Sequence, residues 1–230
     1  MSIELPTVAV IGGTGDLGNG LARRWAAAGY PVVIGSRAAA RGGDAAEEIC
    51  RDLDVTSVRG TDNGAAAAAG DIVVLAVPKE THGVILDAIK DTAAGKIVVD
   101  TTVPLNPPKV ARVQLPESGT MANATQVLLG DGTRVVAAFH NVAAGHLADL
   151  NYAVDCDILV FGDDPEARQA VVELADAASM TGWHAGPLDN AVVGEALTSV
   201  LIFINRRYKI DGAGLRITGK PKPETADAES

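Results

Sequence analysis

The chain has 230 residues, 47% of them hydrophobic and 21% charged, with a net charge of −10 at pH 7. That composition supplies core for one domain, or one large domain with a small appendage, and the acidic balance argues against nucleic acid or anionic membrane as a general partner. Aromatics are scarce at 3%, so Ala, Val, Ile and Leu must build the core, as they do in parallel sheets covered on both faces.

In chain order, Val8 to Ile11 is a short aliphatic strand running into a glycine cluster. Leu17, Leu21, Ala22 and Trp25 then recur at helical spacing, with Gly29 as the stop. Pro31 to Gly35 reads as a second strand, Ala45 to Leu53 as a helix, Thr56 to Arg59 as a weak strand and Ala65 to Ala69 as a short helix. Ile72 to Val77, closed by Pro78, is the clearest buried strand; a helix over Val84 to Ile89 and a strand over Ile97 to Val99 follow. This alternation is the signature of βαβ units and predicts an α/β, Rossmann-like, doubly wound parallel sheet. The rhythm breaks at Pro104, Pro107 and Pro108 and resumes with a helix over Met121 to Leu129. Strands over Val135 to Phe139 and Ile158 to Phe161, a helix over Pro165 to Ala178 and a long apolar helix from Val192 to Tyr208 complete the reading. From Thr218 onward the chain is polar and is expected to be a mobile tail.

No unbroken apolar run of about 18 residues is present and no charged-then-apolar leader opens the chain, so a cytoplasmic protein is expected. The two cysteines, Cys50 and Cys156, are too few for a disulfide framework, lack metal spacing, and are expected to pack as small hydrophobes.

The glycine cluster carries the strongest chemical signal. Gly13-Thr14-Gly15-Asp16-Leu17-Gly18 follows a predicted strand and opens a predicted helix, the context in which this spacing binds a dinucleotide. Gly13 is expected to allow the tight turn, Gly15 the close approach of a pyrophosphate, and Gly18 close packing of helix on strand. The second strand ends in Gly35-Ser36-Arg37, with Arg41 four residues on, where an NAD enzyme carries an acid for the ribose 2′-hydroxyl. One hydroxyl and two guanidiniums favour a 2′-phosphate instead, so NADP is the expected coenzyme. The alternative is a solvated pair of arginines on a helix face.

A second substrate would sit beyond the strand ends, at Val77-Pro78, Thr101 to Pro104, and His140-Asn141 onward. His140 is either a cleft participant or a hydrogen-bonded structural group, and no third ligand supports zinc at His140 and His146, so no metal is expected. The middle third lacks a Ser-x-x-x-Lys or Tyr-x-x-x-Lys pair, which points to hydride transfer between two rings rather than acid/base reduction of a carbonyl.

Val8 to Ala22, Ile34 to Arg37, Ala138 to Ala144, Gly186-Pro-Leu-Asp-Asn190 with Glu195 to Thr198, and Gly212 to Ile217 resemble the NADPH-dependent reductases of the deazaflavin coenzyme F420. The resemblance implies reversible hydride transfer between NADP(H) and F420, with Thr14 to Leu17, Ser36, Arg37 and Arg41 on the NADP phosphates and ribose. It places Val77, Val103 and Ala144 beside the nicotinamide, and His140, Asn190 and Thr198 near the deazaflavin. It also implies a homodimer, for which the helix from Val192 to Ile204 is the candidate interface, although a plain core helix reads the same way. On this reading residues 1–139 form the NADP-binding domain, 140–217 a smaller C-terminal α/β portion completing the deazaflavin cleft, and 218–230 the tail. The chain departs from the resemblance at two places: Val192 stands where the archaeal members carry Arg, and Ala196 where a Ser is expected. Six basic side chains, Arg206, Arg207, Lys209, Arg216, Lys220 and Lys222, against Asp211 alone, could meet the coenzyme's phosphate and polyglutamate tail. The competing readings are an NADP-dependent imine or keto-acid reductase and a non-catalytic NADP sensor.

Overall fold

The computed structural model describes residues 4–219. Eight strands form one sheet in the order β3-β2-β1-β4-β5-β6-β7-β8. They are β1 (Val8–Ile11), β2 (Val32–Ser36), β3 (Val58–Asp62), β4 (Ile72–Leu75), β5 (Ile97–Asp100), β6 (Arg134–Ala137), β7 (Asp157–Gly162) and β8 (Thr181–His184). The pairs from β3 to β6 are parallel, β7 runs antiparallel to β6, and β8 is parallel to β7. Every residue of β1, β4 and β5 is buried, because helices cover both faces; that is why these strands read as unbroken aliphatic runs.

The helices are α1 (Asp16–Ala27), α2 (Ala39–Leu53), α3 (Asn63–Ala69), α4 (Lys79–Ala93), α5 (Met121–Leu129), α6 (Ala144–Leu147), α7 (Pro165–Ala177) and α8 (Ala191–Tyr208), with a 3-10 turn at Leu188–Asn190. The register aligns Gly35, Ile11, Leu75, Asp100 and Ala137 in a row at the carboxyl ends of their strands. The strand order reverses between β1 and β4, which opens a crevice there.

The interior is tied to α1 by two side chains. Trp25 is fully buried, packs edge-on against Phe139 at 5.9 Å, and donates from Nε1 to the Leu174 carbonyl at 2.8 Å. Arg24 donates to the carbonyls of Leu147, Asp149 and Tyr152 at 2.9–3.0 Å, holding α6 and the loop after it. Each is a buried group with its polar needs met, as the interior requires.

Several elements differ from the sequence reading. Helix α2 begins at Ala39 rather than Ala45: Gly42 inside it lies against β3, where a Cβ would stand 2.5 Å from the Thr61 carbonyl. Strand β3 runs two residues later than expected because Gly60 and Thr61 hide it, and β8 is absent from the sequence reading, since Thr-Gly-Trp-His carries no aliphatic run. The short helix α6 is likewise new. The antiparallel β7 means the sheet beyond β6 departs from the simple parallel pattern. Cys156 is buried as expected, whereas Cys50 is only partly so. Most of the expected tail, residues 220–230, lies outside the described residues.

Among the described residues one segment, Leu188–Tyr208, is long and apolar enough to cross a membrane, with a mean hydropathy of 1.3. A third of it is buried in the protein, and its Glu195 accepts from the backbone N–H groups of Met121 and Ala122 at 2.9 and 3.1 Å. Those bonds make α8 a partner of α5.

Candidate active site

The glycine turn joins β1 to α1 at the sheet's switch point. Its tight turn belongs to Gly12, not to Gly13 as the sequence suggested: Gly12 has φ +79°, and a Cβ there would lie 2.5 Å from the Ala76 carbonyl. Gly13 is small for a packing reason, with the Val10 carbonyl 2.9 Å from where its Cβ would stand. Gly18 behaves as expected, its Cβ site lying 2.8 Å from the Gly12 carbonyl, so helix and turn touch. Gly15 differs from all of these, because its nearest neighbour would be at an ordinary 3.5 Å. Nothing in the folded chain demands glycine at 15, so the demand falls to a ligand approaching the backbone. Gly15 caps α1 without a side-chain bond, which leaves N–H groups and the positive helix end open to phosphate.

A cleft of about 340 Å³ runs from this turn past Ser36 to Arg37 and Arg41. Among the described residues no ion pair involves either arginine. The carboxylate of Asp62, opposite Ser36 in register, accepts instead from the Ala65 N–H at 2.9 Å. Arg37 and Arg41 are both exposed, and both line the cleft.

A second cleft of about 420 Å³ shares Gly15, Val77 and Pro78 with the first and continues past Asp16, Leu17 and Val103. The structure thus gathers Gly15, Asp16, Leu17, Ser36, Arg37, Arg41, Val77, Pro78 and Val103 around one continuous crevice, with Thr14 also lining its first part. Ala144, opening α6, lines neither cleft. His140, Asn141 and Thr198 surround a separate cavity of about 240 Å³ with Leu201 and Asn205. Asn190 stands apart and exposed, its amide donating to the Ala185 carbonyl at 3.1 Å. Asn141 donates to the Asp157 carbonyl at 2.8 Å and so braces β7. Of the basic side chains near the C-terminus, Arg216 is paired with Asp155 and Asp157, Arg206 and Arg207 are exposed, and Lys220 and Lys222 lie outside the described residues.

His140 is held by an unusual backbone. Phe139, just before it, has φ +63°, a conformation that costs a non-glycine residue on the order of 1 kcal/mol or more. Thr198 donates to the His140 carbonyl at 2.6 Å. Burial pushes the His140 pKa down to about 4, against a partial pull upward from Asp100, so the ring is neutral near pH 7. Its Nε2 is buried without a partner.

Sequence reasoning missed a buried polar cluster beneath the second cleft. Asp100 is bonded to His82 Nε2 at 2.8 Å, accepts from Thr125 Oγ1 at 2.6 Å, and accepts from the Thr102 N–H at 2.9 Å. Burial alone would raise its pKa, but the bonds from His82, Thr125 and Thr102 outweigh that and hold it below the ordinary value. Thr102, which lines the second cleft, is therefore anchored from below, while Thr101 beside it donates from Oγ1 to the Leu75 carbonyl at 2.8 Å. The one available signal was an acid ending an aliphatic strand. Glu195 is the opposite case: burial raises it to about 7, although the N–H groups of Met121 and Ala122 pull it back down.

The fold, the glycine turn and the cationic end of the crevice define a Rossmann-type oxidoreductase that takes NADP. The chain belongs to the family of F420-dependent NADP reductases: residues 7–104 match the family model described as NADP oxidoreductase, coenzyme F420-dependent. The F420-dependent NADP reductase of Methanothermobacter thermautotrophicus is 40% identical over 231 residues, spanning 97% of this chain and 100% of that protein. Its namesake in Methanothermobacter marburgensis is 37% identical over 94% of this chain and 99% of its own length. A solved structure from Arthrobacter sp. FB24, described as an assumed F420-dependent NADP-reductase, superimposes with a TM-score of 0.76 at 23% identity, over 92% of this chain and 99% of that one. That likeness attests to the fold.

Proposed function

We propose that this protein transfers a hydride reversibly between NADP(H) and coenzyme F420. The carrying observation is the continuous crevice itself, cationic and glycine-walled at one end and lined by Val77, Pro78, Val103 and Leu105 at the other. The open backbone at Gly15 fits a pyrophosphate, and Ser36, Arg37 and Arg41 fit a 2′-phosphate. When both coenzymes are bound they supply the hydride donor and acceptor. The protein's part is to hold two rings close, oriented and dry. Val77, Pro78 and Val103 flank the nicotinamide end, with Ala144 assigned there by resemblance. His140, Asn190 and Thr198 are assigned to the deazaflavin side by resemblance, with Asn141 beside them; His140, Asn141 and Thr198 line a cavity separate from the crevice and Asn190 stands outside both. A neutral His140 is no cationic acid, which suits a reaction that needs none at the transferring carbon.

The enzyme is read as a cytoplasmic homodimer. Val193, Val200 and Phe203 lie on one face of α8 and are all exposed in the single chain, which supports a subunit contact there. Arg206, Arg207 and Lys209, at the end of α8, are suited to an acidic coenzyme tail. The test is NADPH oxidation with F420, with small imines and with 2-keto acids. Turnover with the deazaflavin alone is expected; turnover only with an imine or keto acid would overturn the reading, and tight NADPH binding with no acceptor oxidising it would favour a sensor.

A further inference from the structure

We propose that Asn63 is a nucleotide-binding residue that holds the adenosine ribose of NADP(H), its neutral amide standing where an acid would repel the 2′-phosphate. The inference rests on the NADP reading of the first cleft. Asn63 lines that cleft with Ser36, Arg37 and Arg41, although it is only 8% exposed. Its Oδ1 is buried and has no hydrogen-bond partner. An unpaired amide oxygen in the interior destabilises the fold, and native proteins keep few of them. An alanine or valine would fill the same corner without that penalty. With Oδ1 turned to the Gly35 side, the end of the amide left to the cleft is the Nδ2 donor, and an amide kept at that cost with its donor on a cleft is explained by a ligand there.

Two neighbours are arranged around this amide. Gly35, one residue before the end of β2, lies beside Oδ1; a Cβ on it would stand 3.0 Å from that oxygen and 3.1 Å from Ala66 Cβ. The glycine before Ser36 therefore makes room for Asn63, which gives the first residue of the Gly-Ser-Arg segment its reason. Ser36 faces Asp62 in register, so Arg37 and Asn63 each follow directly from that pair. The ribose of a bound dinucleotide lies at the end of the second strand. The amide N–H group donates, which suits the oxygen of a ribose hydroxyl as acceptor. Asp62 next door already uses its carboxylate on Ala65 N–H, leaving the uncharged Asn63 to line the cleft with the arginines.

Binding of NADPH and of NADH to wild type, Asn63→Ala and Asn63→Asp, together with their melting temperatures, tests the assignment. Asn63→Ala is expected to melt at or above wild type, because the unpaired oxygen is gone, while binding both nucleotides about fivefold more weakly, the worth of one ordinary hydrogen bond. Asn63→Asp is expected to weaken NADPH at least about tenfold more than NADH, through repulsion of the 2′-phosphate. Unchanged affinities in Asn63→Ala, or losses that merely track a fall in melting temperature, would overturn the proposal. So would equal losses for the two nucleotides in Asn63→Asp. A wild-type protein binding neither nucleotide would instead overturn the NADP reading beneath it.

Discussion

Replacing Gly15 by Ala separates what the fold needs from what the coenzyme needs. A Cβ at 15 would meet nothing closer than the Gly12 carbonyl at 3.5 Å, and φ is −87°, a value open to any residue. Stiffening the unfolded chain favours Ala by about 0.4–1 kcal/mol, and Ala is a poorer helix N-cap than Gly by a similar amount. The two offset, so stability should stay within about 1 kcal/mol, a shift of roughly 2–4 °C for a chain of this size. The nucleotide sees a different surface. A methyl at 15 keeps a pyrophosphate from the turn, and each lost charge-assisted bond costs about 1.5–3 kcal/mol, roughly 10- to 150-fold in Kd. Gly18→Ala is the control with the reverse profile: its Cβ would meet the Gly12 carbonyl at 2.8 Å and Gly13 Cα at 2.9 Å, so the variant should lose several degrees of melting temperature. Calorimetric titration with NADPH beside thermal melts reads both quantities. A Gly15→Ala protein that binds NADPH as wild type does would refute the argument that the ligand, and not the fold, requires this glycine.

Three other outcomes are expected. Arg37→Ala should weaken NADPH by about 1.5–3 kcal/mol while barely altering NADH, and equal losses for both would remove Arg37 from the 2′-phosphate. Glu195, raised to about 7 from an ordinary 4.5, binds its proton more tightly folded than unfolded, so its contribution to stability is full below about pH 4.5 and is lost as pH rises through 7. The amount is on the order of 3 kcal/mol. Since His140, lowered to about 4, acts in the opposite sense as pH falls below 6.5, the reading is the difference between wild type and Glu195→Gln. The variant should keep more of its melting temperature between pH 5 and 8, by several degrees, and parallel curves would count against a titrating Glu195. Finally, Phe203→Asp should convert a dimer to monomers in light scattering, as two copies each lose about 1.5–3 kcal/mol of apolar burial; an unchanged mass would place the subunit contact elsewhere.

What the sequence made legible follows from what local chemistry can encode. Strands β1, β4 and β5 are buried on both faces, so their aliphatic runs declare them, and Gly15, Ser36, Arg37 and Arg41 sit within a few residues of strand ends that fix their place. Elements held by distant partners were not readable. Arg24 holds α6 through carbonyls far along the chain, such as Leu147 at a separation of 123. Asp100 lies 18 residues from His82 and 25 from Thr125, and the three meet only once α4 and α5 pack on β5. Asn63 was hidden by the alanine run that follows it, because its role depends on Gly35 of a different strand. The exchange of roles between Gly12 and Gly13 has the same origin: which of two adjacent glycines turns the chain depends on Ala76, contributed by the end of a different strand.

The central claim is that this chain passes a hydride between NADPH and F420. Its most direct test is to mix the protein with stoichiometric amounts of both and follow the deazaflavin's visible absorbance beside NADPH oxidation. The account predicts that the two signals fall together, one coenzyme for the other, and that Gly15→Ala slows both alike. NADPH that stays reduced in the presence of saturating F420 would contradict it.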